Sequence, residues 1–369
     1  MSIPQQFSPV PSPAATLVEG RDAVQALLAH AAGPPSPTDP VTASLAWVRR
    51  AVAAAPPAAV WAAAVRDGAA WGVAVLRDSR ERAARDGDDG TRTDLLSGGG
   101  GYRSGVLTSP GVRGAQDFAR TALELAGPLG AALADGADRR GTALELTGLP
   151  DTLAVRALAA AAGADVGAEL PVPVVERPVP GGHLVSAGMR KNLRKNANRL
   201  ATDGVTAELV LSRDPDVFTA TLPEIEAAYR DRDAAHGLAC PLDTPAGRRT
   251  WLDRLAALGE VDRRELATLR LDGDLAAYVV GVPGLGRYGV FEGRFVTRWA
   301  RYSPGRVLEH AVLQHAFADP TTEVVDWMTG VAPETLLTVS RFEPRLSVHR
   351  GVRGVGPRPL VGLQPASAR

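Results

Sequence analysis

The sequence predicts an α/β protein made of two copies of one unit, and three observations predict it. Apolar runs flank an Asp-Gly pair at Asp67-Gly68 and again at Asp272-Gly273, each a strong hairpin signal. Ser-Pro-Gly precedes a helical stretch in each half, at Ser109-Pro110-Gly111 and Ser303-Pro304-Gly305. Each half then leaves a strand through Thr-Gly, at Thr147-Gly148-Leu149-Pro150 and at Thr329-Gly330-Val331-Ala332-Pro333. The same signals recur in the same order along a 369-residue chain, which has room for two ordinary domains.

Composition excludes several classes. Apolar residues make up 45% and charged residues 22%, so a packed core is expected. Acids and bases balance at 41 each, and no overall field draws the chain to nucleic acid or membrane. A lone Cys240 leaves no internal disulfide and no cysteine-cluster metal site, which fits a reducing cytoplasm. No apolar run has the length of a membrane span. The first 13 residues, with Pro4, Pro9, Pro11 and Pro13, lack a signal-peptide pattern and read as a disordered lead-in.

The elements follow in order. Thr16 is placed to cap a helix from Leu17 to Ala32, and a second helix from Ala43 to Ala55 stops at Pro56-Pro57. Val60 to Val65 and Ala69 to Leu76 form the first hairpin. After an Asp/Gly-rich loop, a helix runs from about Ala115 to Leu125. A strand follows from Thr142 to Thr147, then a helix to Ala162 capped by Asp151. Pro171, Pro173, Pro178 and Pro180 read as a stiff linker or edge strand, which sets the lobes at 14–180 and 181–350. The second lobe opens with a helix at 189–200 and a strand from Thr206 to Leu211. Helices from Pro223 to His236 and from Pro245 to Leu258 come next. The second hairpin spans Glu265 to Leu271 and Leu275 to Val282. A strand from Arg287 to Phe295, a helix from Arg306 to Phe317, a strand from Glu323 to Met328 and a helix from Pro333 to Arg341 complete it. Residues 351–369 read as a disordered tail.

The stretch Met189-Arg190-Lys191-Asn192-Leu193-Arg194-Lys195-Asn196-Ala197-Asn198-Arg199-Leu200 has a composition of its own. It holds the only two lysines and the only three asparagines of the chain. At the helical period, Arg190, Lys191, Arg194, Lys195, Asn198 and Arg199 cover one half of the cylinder, while Met189, Leu193, Ala197 and Leu200 share the other. Like charges at i,i+4 repel by a few tenths of a kcal/mol per pair. Either an anion offsets that repulsion, with Arg190, Lys191, Arg194 and Lys195 holding substrate phosphate, or the face is simply solvated. A second anion site is expected at Ser303-Pro304-Gly305-Arg306. There the free N–H groups of a helix start, the small Gly305 and the guanidinium groups of Arg301 and Arg306 can meet a phosphate. The alternative is an ordinary helix start headed by proline.

On these residues the second half resembles the GNAT superfamily of N-acetyltransferases, most closely its CelD/BcsL-like members, which are related to the Fem peptidyl transferases. The resemblance rests on Met189 to Arg194 with Arg199-Leu200 and Gly204, Leu271-Asp272-Gly273-Asp274-Leu275-Ala276-Ala277, Ser303-Pro304-Gly305 with Leu308, and Asp326 with Gly330. It covers about residues 183–350 and, more weakly, the first half. The turn at 303–306 carries fewer glycines than is usual in that superfamily, and Arg341-Phe342 stands where relatives tend to carry a lysine.

The resemblance implies two tandem GNAT-like lobes, each a mixed, mostly antiparallel sheet flanked by helices, with a cleft between them. It implies acyl transfer to a small-molecule amine from acetyl-CoA or another acyl-CoA, without a metal. Aminoacyl-tRNA is the alternative donor, and a non-catalytic GNAT-fold binding protein the alternative to an enzyme. Under it Glu292, Asp326 and His236 are candidate bases, Tyr302 is a candidate acid for the leaving thiolate, and Arg301, Ser303, Gly305 and Arg306 hold the donor. Other motifs carry less. Gly284-Leu285-Gly286-Arg287-Tyr288-Gly289 spells a dinucleotide fingerprint but precedes a strand, so it is a hairpin turn. His310 and His315 lack metal-ligand spacing, and Ser97 lacks a nucleophile elbow.

Overall fold

The computed structural model describes residues 14–30, 44–79, 92–96, 107–109, 118–260, 264–284, 286–328 and 336–352. The lead-in 1–13, the loop at 34–42, Ser97 with the glycine run after it, Pro110-Gly111, Thr329-Gly330 and most of the tail lie outside them.

In the first half, β1 (Ala14–Glu19), α1 (Arg21–His30) and α2 (Leu45–Ala54) lead into the hairpin β2 (Val60–Asp67) and β3 (Ala70–Ser79). Short strands β4 (Arg92–Leu95) and β5 (Leu107–Ser109) precede α3 (Phe118–Arg140), β6 (Ala143–Pro150), α4 (Leu153–Ala162) and β7 (Asp165–Glu176). The second half holds α5 (Ala187–Thr202), β8 (Ala207–Ser212), α6 (Pro215–Ala235) and α7 (Pro245–Glu260). The hairpin β9 (Glu265–Leu271) and β10 (Asp274–Pro283) follows, then β11 (Arg287–Phe295), α8 (Pro304–Ala318), β12 (Val324–Asp326) and β13 (Arg341–Arg350).

Twelve of these strands lie in one sheet in the order β1-β2-β3-β4-β6-β13-β7-β12-β11-β10-β9-β8, with β5 pairing β3. The order is symmetric about its centre. Each lobe has antiparallel neighbours as far as β4 or β11, then one parallel pair, β4 with β6 or β11 with β12. Each parallel strand is then flanked by a strand from the other half, β6 by β13 and β12 by β7, and β13 and β7 pair antiparallel in the middle. The exchange extends into the cores. Val348 of β13 is buried in the first lobe's core, and Val175 of β7 is buried in the second's.

Several expectations are corrected. Ala14–Glu19 is a strand rather than the start of a helix, because it pairs residue by residue with β2 and Gly20 at φ +87° separates it from α1. The helix expected to end at Leu125 runs on to Arg140 through Gly127 and Pro128. Packing overrides the local breakers here. A Cβ at Gly130 would meet the Leu158 carbonyl at 2.2 Å, and one at Gly136 would meet the Trp61 ring at 2.5 Å. Thr152, not Asp151, caps α4, its hydroxyl accepting from the Val155 N–H at 3.2 Å, while Asp151 pairs with Arg156 at 2.7 Å. The helix expected from Pro223 starts at Pro215 under an Asp214 cap. Of the proline-rich stretch, Pro171 and Pro173 lie in an interior strand, while Pro178 and Pro180 follow its end at Glu176. Its ladder with β13 is irregular between Glu343 and Arg345, where Leu170 and Pro171 stand against Pro344, and a bulge is where a sheet tolerates proline. The helix expected over Pro333 to Arg341 is absent from 336–340, and Arg341 opens β13; residues 333–335 lie outside the described residues.

Candidate donor site

Helix α5 is fixed at its start by Ser186, whose hydroxyl accepts from the Met189 N–H at 3.2 Å. Asn196 and Leu200 are its buried residues. Lys191, Arg194 and Lys195 are exposed and make no hydrogen bond or ion pair among the described residues. Arg190 donates to the Val185 carbonyl at 2.7 Å, and Arg199 to the Arg301 carbonyl.

Opposite α5 a 3-10 turn (Thr297–Tyr302) delivers the chain to Ser303, the first residue before α8. Ser303 holds a left-handed conformation, φ 52° and ψ 50°, and its hydroxyl makes no capping bond. A non-glycine residue kept there costs about 1 kcal/mol or more, a strain common at functional sites. Pro304 brings no N–H to the start of α8, and the Arg306 and Val307 N–H groups donate to the Ser303 carbonyl at 3.1 and 3.2 Å, so Gly305 alone offers a first-turn N–H to a ligand.

Between the two elements lies a cavity of about 220 Å³. The inner face of α5 contributes Met189, Asn192, Leu193 and Asn196, with Lys195 and Arg199 beside them. Ser303 and Arg306 close the other side. Thus the cationic helix and the Ser-Pro-Gly turn, read separately from sequence, form two walls of one site. That site lies inside the second lobe and not between the lobes. A more open cavity of about 520 Å³ lies near the junction of the halves, lined by Arg177, His183, Ser186, Arg190, Thr338 and Ser340 among others.

The remaining candidates are placed as follows. Gly305 is not in the cavity wall; its missing Cβ leaves room for the Phe295 ring, which such an atom would approach to 3.3 Å. Arg301 pairs with Asp203 at the end of α5, and the Tyr302 hydroxyl donates to the same carboxylate at 2.8 Å. Burial first, then Asp203, raises the Tyr302 pKa. Both residues hold the turn against α5. Glu292 is buried on β11 beneath α7, accepting from the Tyr278 hydroxyl at 2.8 Å and the Trp251 indole N–H at 3.0 Å. Burial raises its pKa. It sits beside a bulge, because Val280 pairs Glu292 while Gly281 pairs Val290, leaving Phe291 as the extra residue. Trp47 of the first half packs edge-on against Phe291, 5.7 Å between centroids. Asp326 accepts from Arg287 at 2.9 Å and from the Met328 N–H at 2.7 Å. His236 ends α6, exposed. The structure therefore brings Lys195, Ser303 and Arg306 together and disperses Glu292, Asp326 and His236.

Two features escaped the sequence reading. Asn192 and Asn196 line the cavity, and their spacing of four on the Met189/Leu193 side was the available signal. Glu309, one turn beyond Arg306, has a pKa raised to about 7 by burial, although it accepts from the Leu337 N–H at 2.8 Å. Nothing in the local sequence marks it. Among the described residues no group of three or more His, Cys, Asp or Glu is placed to hold a metal, and no helix is long and apolar enough to cross a membrane.

Residues 187–334 match the family model of the acetyltransferase (GNAT) domain. The second lobe is a GNAT domain. That match covers α5 through β12, so the basic helix belongs to the GNAT unit and is no appendage of it. Among solved structures, the chain is similar to the C-terminal domain of a putative lysylphosphatidylglycerol synthetase from Agrobacterium fabrum. The TM-score is 0.51 at 14% identity, covering 85% of this chain and 88% of that one. A conserved protein of unknown function from Bacteroides thetaiotaomicron has the same TM-score, 0.51, at 10% identity, with 89% and 96% covered. A tandem GNAT protein from the clavulanic acid biosynthesis pathway matches at TM-score 0.45 and 16% identity over 94% of this chain and 100% of its own. At these identities the likeness is one of fold. No curated protein sequence matches the chain at a significant level.

Proposed function

We propose that the protein is an N-acyltransferase whose GNAT lobe, residues 181–350, transfers an acyl group from a phosphate-bearing donor to an amine, and that lobe 14–180 supports it. The single observation carrying this reading is the α5–α8 cavity, where Lys195, Arg199 and Arg306 meet the start of a helix. An anion there gains from the cations and from the positive end of the helix dipole. Acetyl-CoA, or another acyl-CoA, is the donor this arrangement favours, which goes with a cytoplasmic location.

Acyl transfer asks little else of the protein. The amine must be neutral when it attacks the acyl carbonyl, the developing oxyanion needs a hydrogen-bond donor, and the leaving thiolate needs a proton. The β11 bulge beside Phe291 is the reading's source of a backbone donor. Glu292, held by Tyr278 and Trp251 and with a raised pKa, is its preferred base. Asp326 is held by Arg287, the Tyr302 hydroxyl donates to Asp203, and His236 stands exposed at the end of α6.

A second reading takes aminoacyl-tRNA as donor. Its support is specific: Lys191 and Arg194 are exposed, unpaired among the described residues and outside the cavity wall, where a longer polyanion could reach them. Titration calorimetry with acetyl-CoA and with aminoacyl-tRNA at two salt concentrations separates the readings. Acetyl-CoA binding lost in Lys195→Glu, but little changed in Lys191→Glu/Arg194→Glu, supports the first. A charged tRNA whose binding falls steeply with salt and is lost in the double variant supports the second. Full affinity for both donors in Lys195→Glu removes the cavity from the mechanism, and binding of neither by the wild-type protein overturns the acyltransferase proposal.

A further inference from the structure

Two guanidinium groups stand together between α6 and β11 with no acid in ion-pair contact among the described residues. Arg294 lies over the Tyr229 ring, 4.5 Å from its centroid, and Arg232 lies over the Phe295 ring at 4.5 Å. Arg294 spends one N–H on the Gly293 carbonyl at 3.0 Å, while Arg232 makes no hydrogen bond among the described residues. Both are half-buried. Burial first, then the charge of Arg294, lowers the Arg232 pKa. The acids beside Arg232 in sequence are engaged elsewhere. Asp231 accepts from the Thr297 N–H and hydroxyl, both at 2.6 Å, and Asp233 is buried beside Cys240. Bringing like charges together out of water is unfavourable, and an anion between them would offset it. The rings take the guanidinium faces and leave the N–H edges, which can grip an oxyanion through paired hydrogen bonds.

This pair adjoins the residue assigned to the attacking amine. Arg294 is two positions beyond Glu292 on β11, so both side chains leave the same face of the strand, toward Tyr229 and Trp251. Those two rings pack edge-on with centroids 6.0 Å apart. Phe295, under Arg232, also fills the space beside Gly305 at the start of α8, which ties the pair to the donor turn. One buried acid next to two arginines complements a molecule with an ammonium at one end and an anion at the other. We infer that the acceptor is an amine carrying its own oxyanion, with Arg232 and Arg294 gripping the oxyanion and Glu292 receiving the amine proton. The inference rests on the acyltransferase reading with Glu292 as base, and narrows its acceptor to an aminocarboxylate or an aminophosphonate.

Thiol release from acetyl-CoA by the full chain tests it with glycine, β-alanine and γ-aminobutyrate, their carboxamides and their phosphonate counterparts. At least one acid is expected to exceed its amide by about tenfold or more in kcat/KM, and the phosphonates show which oxyanion fits. Arg232→Met and Arg294→Met should each lower kcat/KM for the oxyanion-bearing amine about tenfold to a hundredfold and leave the carboxamide unchanged. Arg232→Met should melt no lower than wild type, since it removes a repelled charge. If Arg294→Met unfolds the chain, Arg232→Met carries the test. Acids and amides used equally by the wild type, or equal losses on both in folded Arg232→Met, overturn this inference and leave acyl transfer standing. Acetyl-CoA bound in calorimetry while no amine of the panel is acetylated does the same. Acetyl-CoA neither bound nor consumed overturns both this inference and the acetyl-CoA reading beneath it.

Discussion

The two lobes repeat one strand plan but finish it differently. Both place an arginine at the head of the strand that starts the parallel pair, and an acid on its neighbour. Arg92 meets Glu145 at 3.1 Å in the first lobe, and Arg287 meets Asp326 at 2.9 Å in the second. The registers correspond, with Arg92 opposite Ala143 and Arg287 opposite Val324, and the acid two residues further on. Around this shared pair the first lobe closes in on itself. Asp78 accepts from Trp61, Thr93 and Arg140, and Thr93 also bonds Thr142 at 2.7 Å. The second lobe instead faces a cationic helix and strains Ser303. The two halves share this ion pair, and the α5–α8 cavity lies in the second.

Four measurements would break or sharpen that comparison. The largest effect is expected from ending the chain at residue 340, which removes β13 from between β6 and β7. Both lobes should lose cooperative unfolding by circular dichroism; a first lobe that melts normally would show that the exchange is not needed for it. Next, Arg287→Met takes the guanidinium from two acids, Asp326, with a side chain only 3% exposed, and Glu343, 14% exposed, and should cost roughly 3–5 kcal/mol in urea unfolding. Arg92→Met leaves Glu145, 18% exposed, and should cost less, about 1–2 kcal/mol. Equal losses would end the claim that the pairs sit in different surroundings.

The third measurement is a pH profile. The Glu309 pKa is raised from its ordinary 4.5 to about 7, so between those values the folded state holds a proton that the unfolded state has released. Stability from this group is therefore fully present below about pH 4.5 and lost as pH rises to about 7. Glu309→Gln should flatten that slope and be more stable than wild type at pH 8, by on the order of 1–3 kcal/mol. An unchanged profile would mean that Glu309 is solvated. The smallest effect is expected from Ser303→Gly, which relieves a positive φ and should raise stability by roughly 1 kcal/mol. Thermal unfolding that is unchanged or lower would indicate that the turn is unstrained.

Much of the fold was legible because local chemistry decides it. Asp67-Gly68 and Asp272-Gly273 turn hairpins, with Gly68 at φ +60° and Gly273 at φ +84°, values that few other residues adopt cheaply. Elements whose form depends on distant partners were not. Ala14–Glu19 is extended because β2 is there to receive it, and the proline-bearing β7 is interior because β12 and β13 flank it. Periodicity reveals a strand but never its neighbour, so the crossing of β7 and β13 had no sequence signal. The site was half visible. Charge marked α5 and Ser-Pro-Gly marked the start of α8, yet their meeting depends on how α5 is rotated. That rotation, set by Leu200, Asn196 and the bond from Arg199 to Arg301, carries Asn196 inward and leaves Lys191 and Arg194 facing out.

The crossing has a consequence for how the molecule is made. As the ribosome delivers the chain, the edge of β6 stays open until residues 341–350 emerge, nearly two hundred positions later. An early lobe waiting that long with bare backbone groups invites capture by chaperones or by another nascent copy. Gene fusions or swaps that cut between the lobes would strand one strand on each side of the cut.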